Sequence, residues 1–410
     1  MKIGIFLGTT RTELGGGYTF ENEVFQSLLE LASETHHTFV VFGWSKEPPQ
    51  EISSKNIQYI PLYRNFAERL IFKFPRVAMG VLKKLQRLKI SSKIEDHLEK
   101  FIISSGVEII WYLTPYFCIA KGVPYITIVW DLQHRLQPFF PEVSTRGAWD
   151  SREQSYSINL RRAFVIIAGT ETGKNEIERF YQVPPDRIKV LPHPTPKFAL
   201  DAPSSDGKQV ITKYNLPEGY LFYPAQFWPH KNHIGLLLAV KLLKDKYNLV
   251  FHLVFVGSDK GNLRYIRQKV AELNLSDQVH FLGFIPQTDL IALYRNAFAL
   301  TYLTFFGPEN LPPLEAFALS CPVIASNVSG SQEQLGDAAL LIDPKDPNQI
   351  ALAVKSLHEN TSLRNTLIQR GLNRAHRWTG KDYVNGVFSI LDEFEPLRHC
   401  WSNKELYRSH

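Results

Sequence analysis

A chain of 410 residues exceeds one ordinary core, so two domains are expected. With 44% hydrophobic and 21% charged residues and no low-complexity tract, the composition excludes a disordered or fibrous protein. The formal charge of +6 is modest, so its placement along the chain matters more than its size.

After Met1-Lys2 the chain enters IGIFLG, too short and too poorly flanked for a signal peptide. This run heads a series of short apolar, β-branched-rich segments: KIGIFL (2–7), HTFVVFG (37–43), VEIIWYL (107–113), YITIVWDL (125–132) and FVIIAGT (164–170). Gly15-Gly16-Gly17 follows the first of them. Glycines let a backbone approach a ligand closely, although the pattern is not GxGxxG and matches a dinucleotide site poorly. A merely flexible loop is the competing reading.

Between residues 64 and 93 nine Lys or Arg residues stand against one acid, Glu68. After Pro75, Val77, Val81, Leu85 and Leu88 can share a helical face, with Arg76, Lys83 and Arg87 displaced from it. Such a helix suits an anionic membrane surface. It equally suits a core-packing helix with a solvated basic face. No nucleic-acid motif accompanies the charge, so nucleic acid is not an expected partner. At the end of the fourth apolar run, Asp131 is a candidate polar group and His134 a second; a structural Asp at a strand end is nearly as good a reading of Asp131.

PHPTPKFALDAPSS (192–205), with four prolines, interrupts the pattern and reads as a linker. The theme then repeats in YLFYPA (220–225), HLVFVG (252–257), VHFLGF (279–284), AFALTYL (297–303), PVIAS (322–326) and ALLIDP (339–344). Continuous apolar strands alternating with helices imply parallel sheets covered on both faces. Two Rossmann-like, doubly wound α/β domains facing a cleft are expected, with ligands at the carboxyl ends of the strands. The predicted boundaries are 1–192, 206–384, and a helical tail over 385–410 packing back on the first domain. Cys118, Cys321 and Cys400 form no CxxC pair, which fits a reducing compartment and a cytoplasmic protein. No apolar run approaches the ~20 residues of a membrane-spanning helix.

The most informative stretch is FFGPENLPPLE (305–315), which follows the strand AFALTYL. Proline is tolerated in the first helical turn, so Pro312 and Pro313 are predicted to stiffen the turn. They would leave the N–H groups of Asn310 and Leu311 as free donors for an anion such as phosphate. Glu315, a turn inside, is suited to a pair of vicinal hydroxyls. A rigid turn with a dipole-complementing Glu is the plainer reading.

The segment FGPENLPPLEAFALSCPVIASNVSGSQEQLGDAALLIDP resembles the donor-binding segment of family 4 glycosyltransferases, which have the two-domain GT-B fold. YPAQFWPHKNHIGLLLAV (223–240), FVG (255–257), VHFLGFIP (279–286) and WDLQHRLQPFFPE (130–142) have counterparts in the family's order. The resemblance implies a retaining, metal-independent transferase that moves a hexose from a UDP- or GDP-sugar to a hydroxyl of a glycan or lipid-linked saccharide. No further cofactor is implied. It makes Glu315 the ribose-binding Glu, Asn310 and Leu311 the turn that meets the sugar and phosphate, and Lys231 the cation on the diphosphate. Gly283 and Phe284 belong to the loop that receives the base, and Gly16 and Gly17 to a cleft loop beside the diphosphate. Asp131, Lys231 and Glu309 form the expected catalytic set, with Asp131 and His134 on the acceptor side.

Three departures stand out. The family's first Glu should fall near Thr304, whereas this turn is two residues longer and carries Glu309. Gln226 replaces the arginine that partners the lysine. Trp130-Asp131 replaces His-Asp. The absence of Asp-x-Asp agrees with a mechanism that holds no metal on the diphosphate. A catalytically silent nucleotide-sugar-binding protein and a sugar-nucleotide epimerase are the alternatives.

Overall fold

The computed structural model describes residues 1–401 except 9–14, 44, 49–51, 53, 63–97, 116–121 and 206. The basic segment 64–93 and its membrane reading therefore lie outside the described residues.

Two parallel sheets form the framework. The first contains β1 (Lys2–Phe6), β2 (Thr38–Gly43), β3 (Ile57–Pro61), β4 (Ile109–Tyr112), β5 (Tyr125–Val129), β6 (Val165–Ala168) and β7 (Ile188–Val190), ordered β3-β2-β1-β4-β5-β6-β7. The second contains β8 (Leu221–Pro224), β9 (Leu253–Val256), β10 (Val279–Gly283), β11 (Ala299–Tyr302), β12 (Val323–Ser326) and β13 (Ala339–Ile342), ordered β10-β9-β8-β11-β12-β13. All eleven apolar runs became strands. Their central members, such as β5, β9 and β12, are buried at every position, because helices cover both sheet faces. β3 and β7 were not predicted. Both are edge strands, short and only partly buried, so neither requires an apolar run.

Strand order reverses between β1 and β4 in the first sheet and between β8 and β11 in the second. At such switch points adjacent loops diverge and leave a crevice at the strands' carboxyl ends. The segments after β1, β8 and β11 open there.

The linker is not extended chain. Lys197–Leu200 forms a helical turn with Ala199 buried, and the Lys197 N–H donates to Glu23 (2.7 Å). The chain returns beside it: Thr195 N donates to Trp378 O (3.1 Å), and Trp378 Nε1 donates to Pro192 O (2.8 Å). The predicted boundary at 384/385 falls inside one helix, Gly380–Arg398. Its start is fixed by the Thr379/Asp382 capping box, so the crossing precedes residue 380. This helix lies on the helix Gly16–Leu31, with Tyr383 edge-on to Phe20 at 5.4 Å, and Phe388 stacks on Phe39 of β2 at 5.8 Å.

Candidate functional site in the interdomain cleft

Lys231 ends a single 3-10 turn after β8. Asn232 follows in the left-handed region (φ 53°), where its side chain caps the helix His233–Tyr247 by accepting from Gly235 N (3.0 Å). Asn232 Nδ2 also donates to Pro344 O (2.7 Å), so this backbone turn is pinned from two sides. Lys231 Nζ donates to Tyr302 Oη at 2.8 Å and to Asn310 Oδ1 at 3.4 Å. No carboxylate pairs with Lys231 among the described residues. A cation held only by neutral oxygens keeps its charge for a ligand.

The helix Leu311–Ala318 opens at Asn310, with prolines in its first turn. The expectation of a free Asn310 N–H is corrected here. It donates to Gln334 Oε1 (2.9 Å), while Gln334 Nε2 returns a bond to Asn310 O (3.0 Å). The turn is thereby clamped, and Asn310 contributes its side-chain oxygen to the lysine. Glu315 is buried and accepts from Tyr294 Oη (2.7 Å). Burial pushes its carboxyl up to about 7, against the lowering influence of that hydroxyl. β10 ends at Gly283, and the neighbouring Phe284 is 57% exposed, an apolar ring that packing alone does not explain.

The first domain closes the other side. Gly16 and Gly17 are not a loop, as was expected. They open the helix Gly16–Leu31, and Gly15 (φ +80°) makes the turn before it. Only Gly17 needs its bareness: a Cβ there would stand 3.1 Å from the Trp130 ring, whereas one on Gly16 would meet Leu311 of the second domain at an ordinary 4.0 Å. Gln226 lies against Gly15 and accepts from Trp228 Nε1 (3.0 Å).

Glu309 crosses the cleft. Its side chain is only 4% exposed and accepts from His193 N at 2.7 Å. A Cβ on Gly169, in the turn after β6, would stand 1.2 Å from Glu309 Oε2, so the missing side chain makes room for the carboxylate. Burial raises the Glu309 carboxyl to about 8 and lowers the His193 imidazole to about 3. Both are neutral near pH 7, so their 3.7 Å approach is not an ion pair.

Asp131 is partly buried. Burial acts to raise its carboxyl, yet Arg152 (2.8 Å) and the Gln133 N–H (2.9 Å) hold it below its ordinary value. His134 is corrected: it is fully buried, against Tyr181 Oη (3.0 Å) and Glu153 (3.3 Å), and burial takes it down to about 4. It supports the first domain's interior and does not face an acceptor.

Further residues join the domains. His230 Nδ1 meets Glu142, Gln137 Nε2 donates to Phe305 O (3.0 Å), and the Glu171 and Thr172 N–H groups donate to Glu333 (2.7 and 3.0 Å). Tyr294, Tyr302, His193, Gly169 and Gln334 escaped sequence reasoning. Gln334 alone lay in a stretch quoted for its resemblance.

Residues 208–374 match the family model described as glycosyl transferases group 1. That match lies in the half of the chain that carries the second sheet. O-antigen chain mannosyltransferase B of Escherichia coli is 29% identical over 240 residues, 58% of this chain and 63% of that protein. O-antigen chain mannosyltransferase RfbU of Salmonella typhimurium is 29% identical over 202 residues, 49% of this chain and 53% of that protein. The matches span less than two thirds of either relative. In fold, the chain is similar to Anabaena Alr3699/HepE, solved in complex with UDP-glucose: TM-score 0.69, 13% identity, covering 96% of this chain and 100% of that one. The two parallel sheets and this likeness make a two-domain, Rossmann-like GT-B fold, with the turn 305–310 at the second sheet's switch point.

Proposed function

We propose that the protein is a retaining, metal-independent glycosyltransferase that moves a hexose from a UDP- or GDP-sugar to a hydroxyl of a glycan or lipid-linked saccharide. The observation that carries this reading is Lys231, held by Tyr302 and Asn310 at the switch point beside buried Glu315. In glycosyl transfer from such a donor the leaving group is a nucleoside diphosphate. Its developing charge needs preorganised cations and donors, and Lys231 is placed to supply the charge. Glu315 would accept from the ribose hydroxyls once Tyr294 shares it, and Phe284 offers a face to the base. Glu309, across from Gly169, is the candidate for the sugar side. The names of the bacterial mannosyltransferase relatives make mannose the first hexose to try.

Initial rates with GDP-mannose, UDP-glucose and related donors, with and without an acceptor glycan, test the proposal. Release of nucleoside diphosphate that survives a chelator is expected. Loss of turnover with chelator, restored by Mn²⁺ or Mg²⁺, would contradict metal independence. One observation favours a second reading, a nucleotide-sugar binder without turnover: Glu309 is already engaged by His193 N and Gly169. Saturable donor binding with no hydrolysis or transfer of any donor would select it.

A further inference from the structure

Far from the residues assigned to the donor, the turn between the helix Gly16–Leu31 and β2 brings two adjacent histidines against the C-terminal helix. The His36 and His37 rings lie side by side, centroids 4.1 Å apart. Asp392 and Glu395, one turn apart on the helix Gly380–Arg398, face them. The four donor atoms all fall within 4.8 Å of one another. His37 Nε2 is 3.1 Å from Asp392 Oδ1, and His36 Nε2 is 2.6 Å from Glu395 Oε2 and 3.9 Å from Asp392 Oδ1. Ligands bound to zinc at 2.0–2.1 Å in a tetrahedron stand about 3.3 Å apart, in the middle of that spread.

A second observation points the same way. His37 is fully buried, and its Nε2 faces the Asp392 carboxylate at 3.1 Å without the geometry of a hydrogen bond. Buried imidazole nitrogens are rarely left so. The other nitrogen, Nδ1, lies 3.2 Å from the Met1 amino nitrogen, so the ring is fixed between Met1 and Asp392. Glu395 turns Oε1 to Met1 (3.0 Å) and to His399 (3.9 Å), leaving Oε2 on the histidine side.

We propose that His36, His37, Asp392 and Glu395 form a structural site for a divalent transition cation of the zinc class. Bound there, the ion would fasten the C-terminal helix to the first domain. The donor set, two imidazoles and two carboxylates, is borderline in hardness and suits Zn²⁺ better than Ca²⁺ or Mg²⁺, which take oxygen ligands. This proposal is independent of the glycosyl-transfer reading.

The test uses the untagged full chain after chelator treatment, titrated with ZnCl₂ by calorimetry and with CoCl₂ by visible absorption. One Zn²⁺ per chain, a tetrahedral Co²⁺ spectrum and a melting temperature raised by Zn²⁺ are expected. His36→Ala and Asp392→Asn alter exposed side chains and keep the metal-free melting temperature, which separates lost ligation from lost folding. Each is expected to weaken Zn²⁺ at least tenfold and to abolish the Zn²⁺-induced rise. Absence of saturable binding, or wild-type affinity in both variants, would overturn the proposal.

Discussion

At the scale of single residues, burial decides what the acidic groups of the cleft do. Glu315 is held by one neutral hydroxyl, so a ribose could be accommodated without breaking an ion pair. Glu315→Ala is expected to weaken UDP or GDP binding by about 1.5–3 kcal/mol, the worth of a charged hydrogen bond, and to lower stability as well because the buried Tyr294 hydroxyl loses its partner. Unchanged affinity in calorimetry would refute the ribose assignment. Glu309 behaves differently, because its folded-state carboxyl stands near 8 against an ordinary 4.5. Between those values the folded protein keeps a proton that the unfolded chain has released. Stability is therefore highest at the acidic end of that window and falls as pH rises through it. For a one-proton difference the slope is about 1.4 kcal/mol per pH unit. Glu21, Glu23 and Glu315, each raised by burial to about 7, add slopes of the same sign. Glu309→Gln keeps an acceptor for His193 N but removes its own titration. Urea unfolding at about pH 5 and pH 8 should show a smaller loss in this variant than in wild type. Parallel losses would mean that Glu309 is ionised throughout.

At the scale of elements, the strands were legible because burial on both faces writes itself as continuous apolar sequence. β3, with Gln58 in IQYIP, and β7, only IKV, carry no such mark because an edge strand has one neighbour and a wet side. In the second domain the site's positions were legible too. Lys231 and Asn310 come within 3.4 Å of each other, each carried by a local turn. What the sequence concealed were partnerships made across long separations. Asn310 N–H is taken by Gln334, 24 residues on, and His134 is drawn inward by Tyr181. The Gly169–Glu309 pair is such a partnership and can be tested as one. Gly169→Ala drives a methyl into the carboxylate and should cost about 1–3 kcal/mol, as overpacking does. Glu309→Ala vacates that space, so the double variant should lose less than the sum of the single ones in chemical denaturation. Additive losses would place Glu309 elsewhere.

At the scale of the whole molecule, two domains meet along a cleft whose second wall carries the nucleotide-sugar assignment. The crossings at 192–196 and 378–380 run side by side, and the C-terminal helix returns to the first domain. Motion between domains would therefore bend one narrow seam, while contacts such as Glu333 on the Glu171 and Thr172 N–H groups hold the facing walls. Among the described residues no helix is long and apolar enough to cross a membrane. The central claim is that this cleft binds a nucleoside diphosphate through Lys231. Calorimetric titration of wild type and Lys231→Met with UDP and with GDP tests it most directly. The account predicts one site per chain for at least one of the two in wild type. In the variant, loss of a charge-assisted bond worth about 1.5–3 kcal/mol should weaken that site by roughly tenfold or more. Binding of neither nucleotide to wild type, or equal affinity in wild type and variant, would contradict it.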